Sequence, residues 1–180
     1  TVQSVTVCLR NTPKKNGKKG EGLMPGPGAT SGISDLEAKL RAYAAEFSRL
    51  EVEDVTNAIP NAAAADFLLA NVPLFECPDT DIERTYYFRW WTYRKHLRKD
   101  EEGVVSEFLH NVGHAGKNNA ISCPLGHHLM EGPLLKERAF LDDYTRYWLK
   151  PGRRLNGKGS YVNWIARATL AREEVTGDTA

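Results

Sequence analysis

Residues 85–96 read TYYFRWWTYRKH, which places six aromatic rings and three Lys or Arg cations within twelve positions. Burying one large aromatic side chain contributes roughly 1.5–3 kcal/mol, so a fold that left these rings in water would forfeit much of its stability. At helical spacing Ile82, Tyr86, Trp90, Tyr93 and Leu97 form one stripe, while Tyr87, Phe88 and Trp91 spread over the other faces. A helix apolar nearly all round belongs in an interior, with other elements packed on several sides of it.

The surrounding chain supplies such elements. Pro73 and Pro78 punctuate the sequence before Asp79 opens the aromatic helix. Upstream, Ser34 and Glu37 have the spacing of a capping box, and Leu36, Leu40, Tyr43, Phe47 and Leu50 recur with a helical period. A shorter helix follows Pro60, with Ala63, Phe67 and Leu68 on its apolar side. Downstream, VVSEFL at 104–109 suits a short strand or extended turn, and residues 110–123 read as a loop. Two further helices are predicted near 135–149 and 161–175, separated by the turn-forming run PGRRLNGKGS.

The N-terminus has a different character: TVQSVTVCL alternates like a strand, and residues 11–33 are rich in Lys, Gly and Pro. Its lysines, Lys14, Lys15, Lys18 and Lys19, are read as solvated linker charge. The expectation is therefore an all-α array of helical hairpins over 34–180, preceded by a strand remnant at 1–10 and a linker or mobile loop at 11–33. Helices this apolar need more cover than the rest of a 180-residue chain offers, so the sequence is expected to be a piece of a larger domain.

Charge and cysteine content exclude several classes. A formal net charge of +1 gives no field that would draw a nucleic acid or a membrane surface, and no run has the apolar length of a membrane span. Cys8, Cys77 and Cys123 are far apart and odd in number, so they read as isolated thiols rather than a disulfide framework or a thiolate metal site. No cofactor is expected. The chain begins at Thr1 without a charged-then-apolar leader, so any secretion signal has been removed or was never included.

The run PLFECPDTDIERTYYFRWWTYRKH, followed by EFL, AGKNNAISCPLGHHLMEGPLL and FLDDYTRYWL, resembles the first part of the mannosylglycerate-hydrolase-like glycoside hydrolases, relatives of trehalases and processing α-glucosidases. The resemblance covers roughly residues 55–178. It implies an α/α toroid, six helical hairpins in a ring around a sugar pocket, of which this chain is the N-terminal part. A bare ring of twelve helices, at about 11 residues each plus connections of about 4–6, needs roughly 180–200 residues. With about a third of this chain in linker or loop, two or three hairpins fit. The resemblance implies a carbohydrate substrate and favours a periplasmic or secreted location over a cytoplasmic one. Two positions depart from the family pattern: Pro133 and Leu134 follow the EG of the histidine motif where an aromatic and an Arg are expected, and Arg167 stands where an Asp is expected.

The candidate sugar-binding residues are Arg89, Trp90, Trp91, Arg94, Glu107, His127, His128 and Glu131. Aromatic faces stack on the C–H faces of pyranose rings, and guanidinium forks donate to sugar hydroxyls. Most rings of the aromatic helix are expected in the core, with one or two reaching ligand. In GHHLMEG the adjacent His127 and His128 point to different sides of their element, so at most one of them easily faces a pocket alongside Glu131, whose spacing from both fits a helical face. Glycoside hydrolysis needs two carboxyl groups, roughly 6.5–9.5 Å apart in an inverting enzyme. Glu107, Glu131, Asp142 and Asp143 have no diagnostic neighbourhood, and the resemblance places the acid and base in later hairpins beyond Ala180, so no catalytic pair is assigned.

Three other readings compete. A toroid-fold polysaccharide lyase would use Tyr87 or His127 as base, with Asn118 and Arg94 neutralising a uronate carboxylate. A zinc cluster would draw on His110, His114, Cys123, His127 and His128, whose spacings fit no closed zinc motif. A non-catalytic remnant would bind sugar weakly or not at all.

Overall fold

A computed structural model of the chain describes residues 29–98, 103–116, 118–151 and 164–177. The predicted N-terminal strand, the lysine cluster and most of the predicted linker lie outside the described residues. Among the described residues six α-helices run in order: α1 (Ala29–Leu50), α2 (Ala64–Asn71), α3 (Thr80–His96), α4 (Leu125–Glu131), α5 (Ala139–Leu149) and α6 (Ile165–Thr176). Among the described residues the only β pairing is one isolated antiparallel bridge, Leu97 with Val105. The fold is all-α.

α3 starts where the sequence predicts. The Asp79 carboxylate accepts from the backbone N–H groups of Asp81 at 3.0 Å and Ile82 at 3.3 Å, replacing partners that a helix N-terminus lacks. Acidic Asp81 and Glu83 in the first turn and basic Arg94, Lys95 and His96 in the last complement the helix dipole. α1 begins at Ala29, upstream of the predicted start, so Ser34 and Glu37 lie within the helix instead of capping it.

α1 and α2 both pack on α3 and on each other, burying Leu40, Phe47, Phe67 and Leu68 against Tyr87, Trp90 and Trp91. Four of the five stripe residues of α3 are buried or half-buried, but Ile82 is exposed: in the first turn it is Glu83, paired with Lys39 and Tyr43 of α1, that faces inward. Leu50, at the last position of α1, is exposed as well.

α4 packs on α6 and, through the short 3₁₀ turn Gly132–Leu134, on the rest of the core. Gly132 permits that approach: a Cβ there would stand 2.5 Å from the Tyr93 hydroxyl and 2.8 Å from a Leu141 methyl. Gly132→Ala is expected to cost about 1–3 kcal/mol through overpacking, read as a lowered melting temperature. Gly126, six residues earlier, has the same role against the Trp164 indole.

Candidate functional site

Two concave regions flank the C-terminal half of α3. The first is a groove of about 360 Å³ between α3 and α4. Thr85, Phe88, Arg89 and Thr92 form its α3 side, His128 and Glu131 its α4 side, and Tyr93, His96 and Val105 complete it. The second, about 620 Å³, lies at the end of α3 among Thr56, Asn57, Lys95, Arg98, His110 and Asn111. The Leu97–Val105 bridge contributes one residue to each, Leu97 to the larger and Val105 to the groove. The larger cavity contains none of the sequence-predicted site residues; three of them, Arg89, His128 and Glu131, converge on the groove.

Arg89 and Glu131 form a forked ion pair across the groove: Nε and Nη2 donate to Glu131 Oε1 at 3.0 and 2.6 Å. The guanidinium is largely exposed and the carboxylate partly so, which makes the pair weak as a stabiliser, about 0–1 kcal/mol, and open to exchange partners with a ligand. Behind it Tyr93 is buried, and its hydroxyl donates to the His128 carbonyl at 3.0 Å, tying α3 to α4.

His128 and His127 point to different sides of α4, as their adjacency requires. His128 enters the groove, its Nδ1 3.1 Å from the Tyr144 hydroxyl on α5. Burial, reinforced by the fields of His96 and His127, lowers its pKa to about 4, so the ring is neutral at neutral pH. His127 is exposed and meets the Trp164 indole edge-on, with ring centres 5.0 Å apart.

Glu107 is held by a loop rather than a helix. Its backbone N–H donates to the Asn119 carbonyl at 2.8 Å. Asn119 adopts a left-handed conformation (φ 48°), and its side chain accepts from Val112 N–H and donates to the His110 carbonyl, so one buried amide braces the loop. Glu107 Oε2 is buried without a hydrogen-bond partner, and burial raises the carboxyl's pKa. Glu107 does not line the groove, although its charge is felt at Tyr144.

Three predicted contacts are core residues. Trp90 and Trp91 are buried, Trp91 between Phe47, Phe88 and the cations of Arg94 and Lys95. Arg94 is wholly buried and donates to the Ile59 carbonyl, to Asn61 Oδ1 at 2.8 Å and to the Trp91 carbonyl at 3.3 Å. It braces the turn after α1 and does not line the groove. A groove-lining residue that sequence reasoning missed is His96. Its position in an aromatic helix gave no sign that the ring would turn toward α4.

The competing residue sets do not assemble. Tyr87 is buried with its hydroxyl on the Phe75 backbone, Arg94 braces Ile59, and His127 lies against Trp164, so the proposed lyase groups occupy separate environments. Among the described residues no group of three or more His, Cys, Asp or Glu side chains is placed to hold a metal ion. Cys77 is buried and Cys123 exposed, both as free thiols, while Cys8 lies outside the described residues. Asp142 pairs with Arg172, and Asp143 with Arg146 at 2.6 Å. Arg167 is exposed on α6. No helix among the described residues is long and apolar enough to cross a membrane.

An all-α array with a largely apolar groove, bearing a few polar groups, beside an aromatic helix is the class that fold and site define. No protein-family model matches the chain, and no curated protein matches it. Its fold is similar to part of a solved structure named as a sialidase, with 37% sequence identity and a TM-score of 0.72 over 79% of this chain. The chain spans 13% of the length of that protein.

Proposed function

We propose that this chain belongs to a glycoside hydrolase and that the α3–α4 groove is part of its carbohydrate-binding surface. The observation that carries this reading is the 37% identity, over 79% of the chain, to a protein named as a sialidase, which is a glycoside hydrolase. The groove's chemistry suits the role. It combines a partly exposed Phe88 ring, threonine hydroxyls, two imidazoles and an ion pair able to reach sugar hydroxyls.

The finer form of the proposal is a segment of an α/α toroid of the mannosylglycerate-hydrolase-like kind, with α3 as an inner helix. Residues 34–180 would be its N-terminal part, extended upstream to Ala29 by the start of α1, with a strand remnant and a linker before it. Arg89, His128 and Glu131 would contact sugar directly, and Glu107 would act from behind Tyr144. The acid and base are assigned to further hairpins of the natural protein. In support of that, Glu131, Asp142 and Asp143 are ion-paired, which leaves Glu107 without an acidic partner among these four carboxylates.

The test is turnover of chromogenic glycosides by the natural full-length protein, with Arg89→Met raising KM roughly tenfold, as expected for a charged hydrogen bond to substrate. Absence of release from both neutral and sialic acid glycosides would overturn the reading. Unsaturated-product absorbance from uronate polymers would replace it with a lyase.

A further inference from the structure

His96 and His128 enter the same groove from different helices, and the hydrogen bonds on their far sides determine what each offers to it. His96 Nδ1 lies 2.8 Å from the Ser106 carbonyl, which can only accept. Nδ1 of the neutral ring therefore carries the hydrogen, and Nε2 is left with a lone pair. His128 Nδ1 faces the Tyr144 hydroxyl instead. A phenol is a stronger donor and a weaker acceptor than a neutral imidazole, so Tyr144 donates, Nδ1 accepts and Nε2 carries the hydrogen. Burial favours the neutral form of both rings, and it also keeps the Tyr144 hydroxyl protonated.

Neither Nε2 has a hydrogen-bond partner among the described residues, and neither is buried away from water. The groove thus presents an acceptor from α3 and a donor from α4. A sugar hydroxyl, which donates one hydrogen and accepts others, is the complementary group. The charge balance narrows the ligand further: the Arg89 guanidinium is matched by the Glu131 carboxylate, burial favours the neutral form of both rings, and the remaining lining groups carry no charge, so the groove has no surplus positive charge for an acidic sugar even where Arg89 exchanges partners.

Resting on the reading of this groove as a carbohydrate surface, we infer that His96 and His128 form an acceptor–donor pair that grips a hydroxyl of a neutral sugar unit, not the carboxylate of an acidic one. The cavity, at about 360 Å³, is at the lower end of the range for small-ligand sites, roughly 300–1,000 Å³.

Imidazole nitrogen NMR of the full chain tests the pair directly. The expected spectrum shows His96 protonated on Nδ1 and His128 on Nε2, with both Nε2 resonances moving on addition of methyl α-glucoside or methyl α-mannoside and not with the methyl glycoside of sialic acid. His96→Asn and His128→Asn reproduce the bonds to Ser106 and Tyr144 but remove the groove-facing nitrogen. Each is expected to weaken glycoside binding roughly five- to tenfold with little change in melting temperature. Identical tautomers on the two rings, shifts with the methyl glycoside of sialic acid in preference to the neutral glycosides, or no shift with either neutral glycoside would each overturn the inference. Glycoside turnover by the natural protein is a separate readout: activity alongside identical tautomers would remove the pair and leave the glycosidase reading in place.

Discussion

Trp91→Ala is expected to lower the unfolding free energy of the full chain by about 3–5 kcal/mol, measured by urea denaturation. The indole is 2% exposed and packs on Phe47 at 6.0 Å and Phe88 at 5.9 Å between ring centres. It also has the Arg94 and Lys95 cations 5.2 Å above it. Truncation would open a cavity where α1 meets α3 and would leave Arg94 without the face it stacks on. Trp91→Phe should cost much less, because the indole N–H has no hydrogen-bond partner among the described residues and its loss breaks no bond. A Trp91→Ala protein of near wild-type stability that had lost sugar binding would return this ring to the ligand surface.

Stability is expected to fall by up to about 3 kcal/mol as pH drops from about 6.5 to about 4, with His128 as the main cause. In that window the unfolded chain binds a proton at this position and the folded chain does not, so acidification favours unfolding; above about 6.5 the contribution is constant. His96, lowered first by burial, acts with the same sign. Glu107, raised by burial, acts with the opposite sign, since its folded form takes up a proton more readily than its unfolded form. The groups surrounding the two rings are Arg89 and Glu131 in the groove, Tyr93 and Tyr144 beneath it, His127 across α4, and Lys95, Arg98 and Glu51 about His96. Denaturation at about pH 7.5 and about pH 4.5 measures the slope. His128→Asn should flatten most of it, and an unchanged slope in that variant would place the dependence elsewhere.

These expectations depend on facts of different legibility. The aromatic run could be read as a buried helix directly, because six rings in twelve positions leave a chain no other economical conformation. Its start at Asp79 was equally legible, since an N-cap is a local bond between a side chain and the next two or three backbone groups. So was the opposition of His127 and His128, which follows from the angular step between adjacent helical residues. Arg94 shows the limit: by residue type alone it reads, like Arg89, as a forked donor to sugar hydroxyls. Its actual partners, Ile59 and Asn61, are more than thirty residues away in sequence.

What the sequence alone determined was the class of fold, the identity of the central helix and the supply of groove-facing groups, all consequences of local periodicity and hydrophobic burial. Tertiary structure decided which of those groups face the groove. His96 and His128 line one groove because Tyr93, against Gly132, ties α3 to the end of α4, and their opposite hydrogen-bonding states come from Ser106 and Tyr144 on two further segments. A ring's donor or acceptor character is set by the atom on its far side, and no spacing rule along the chain specifies that neighbour.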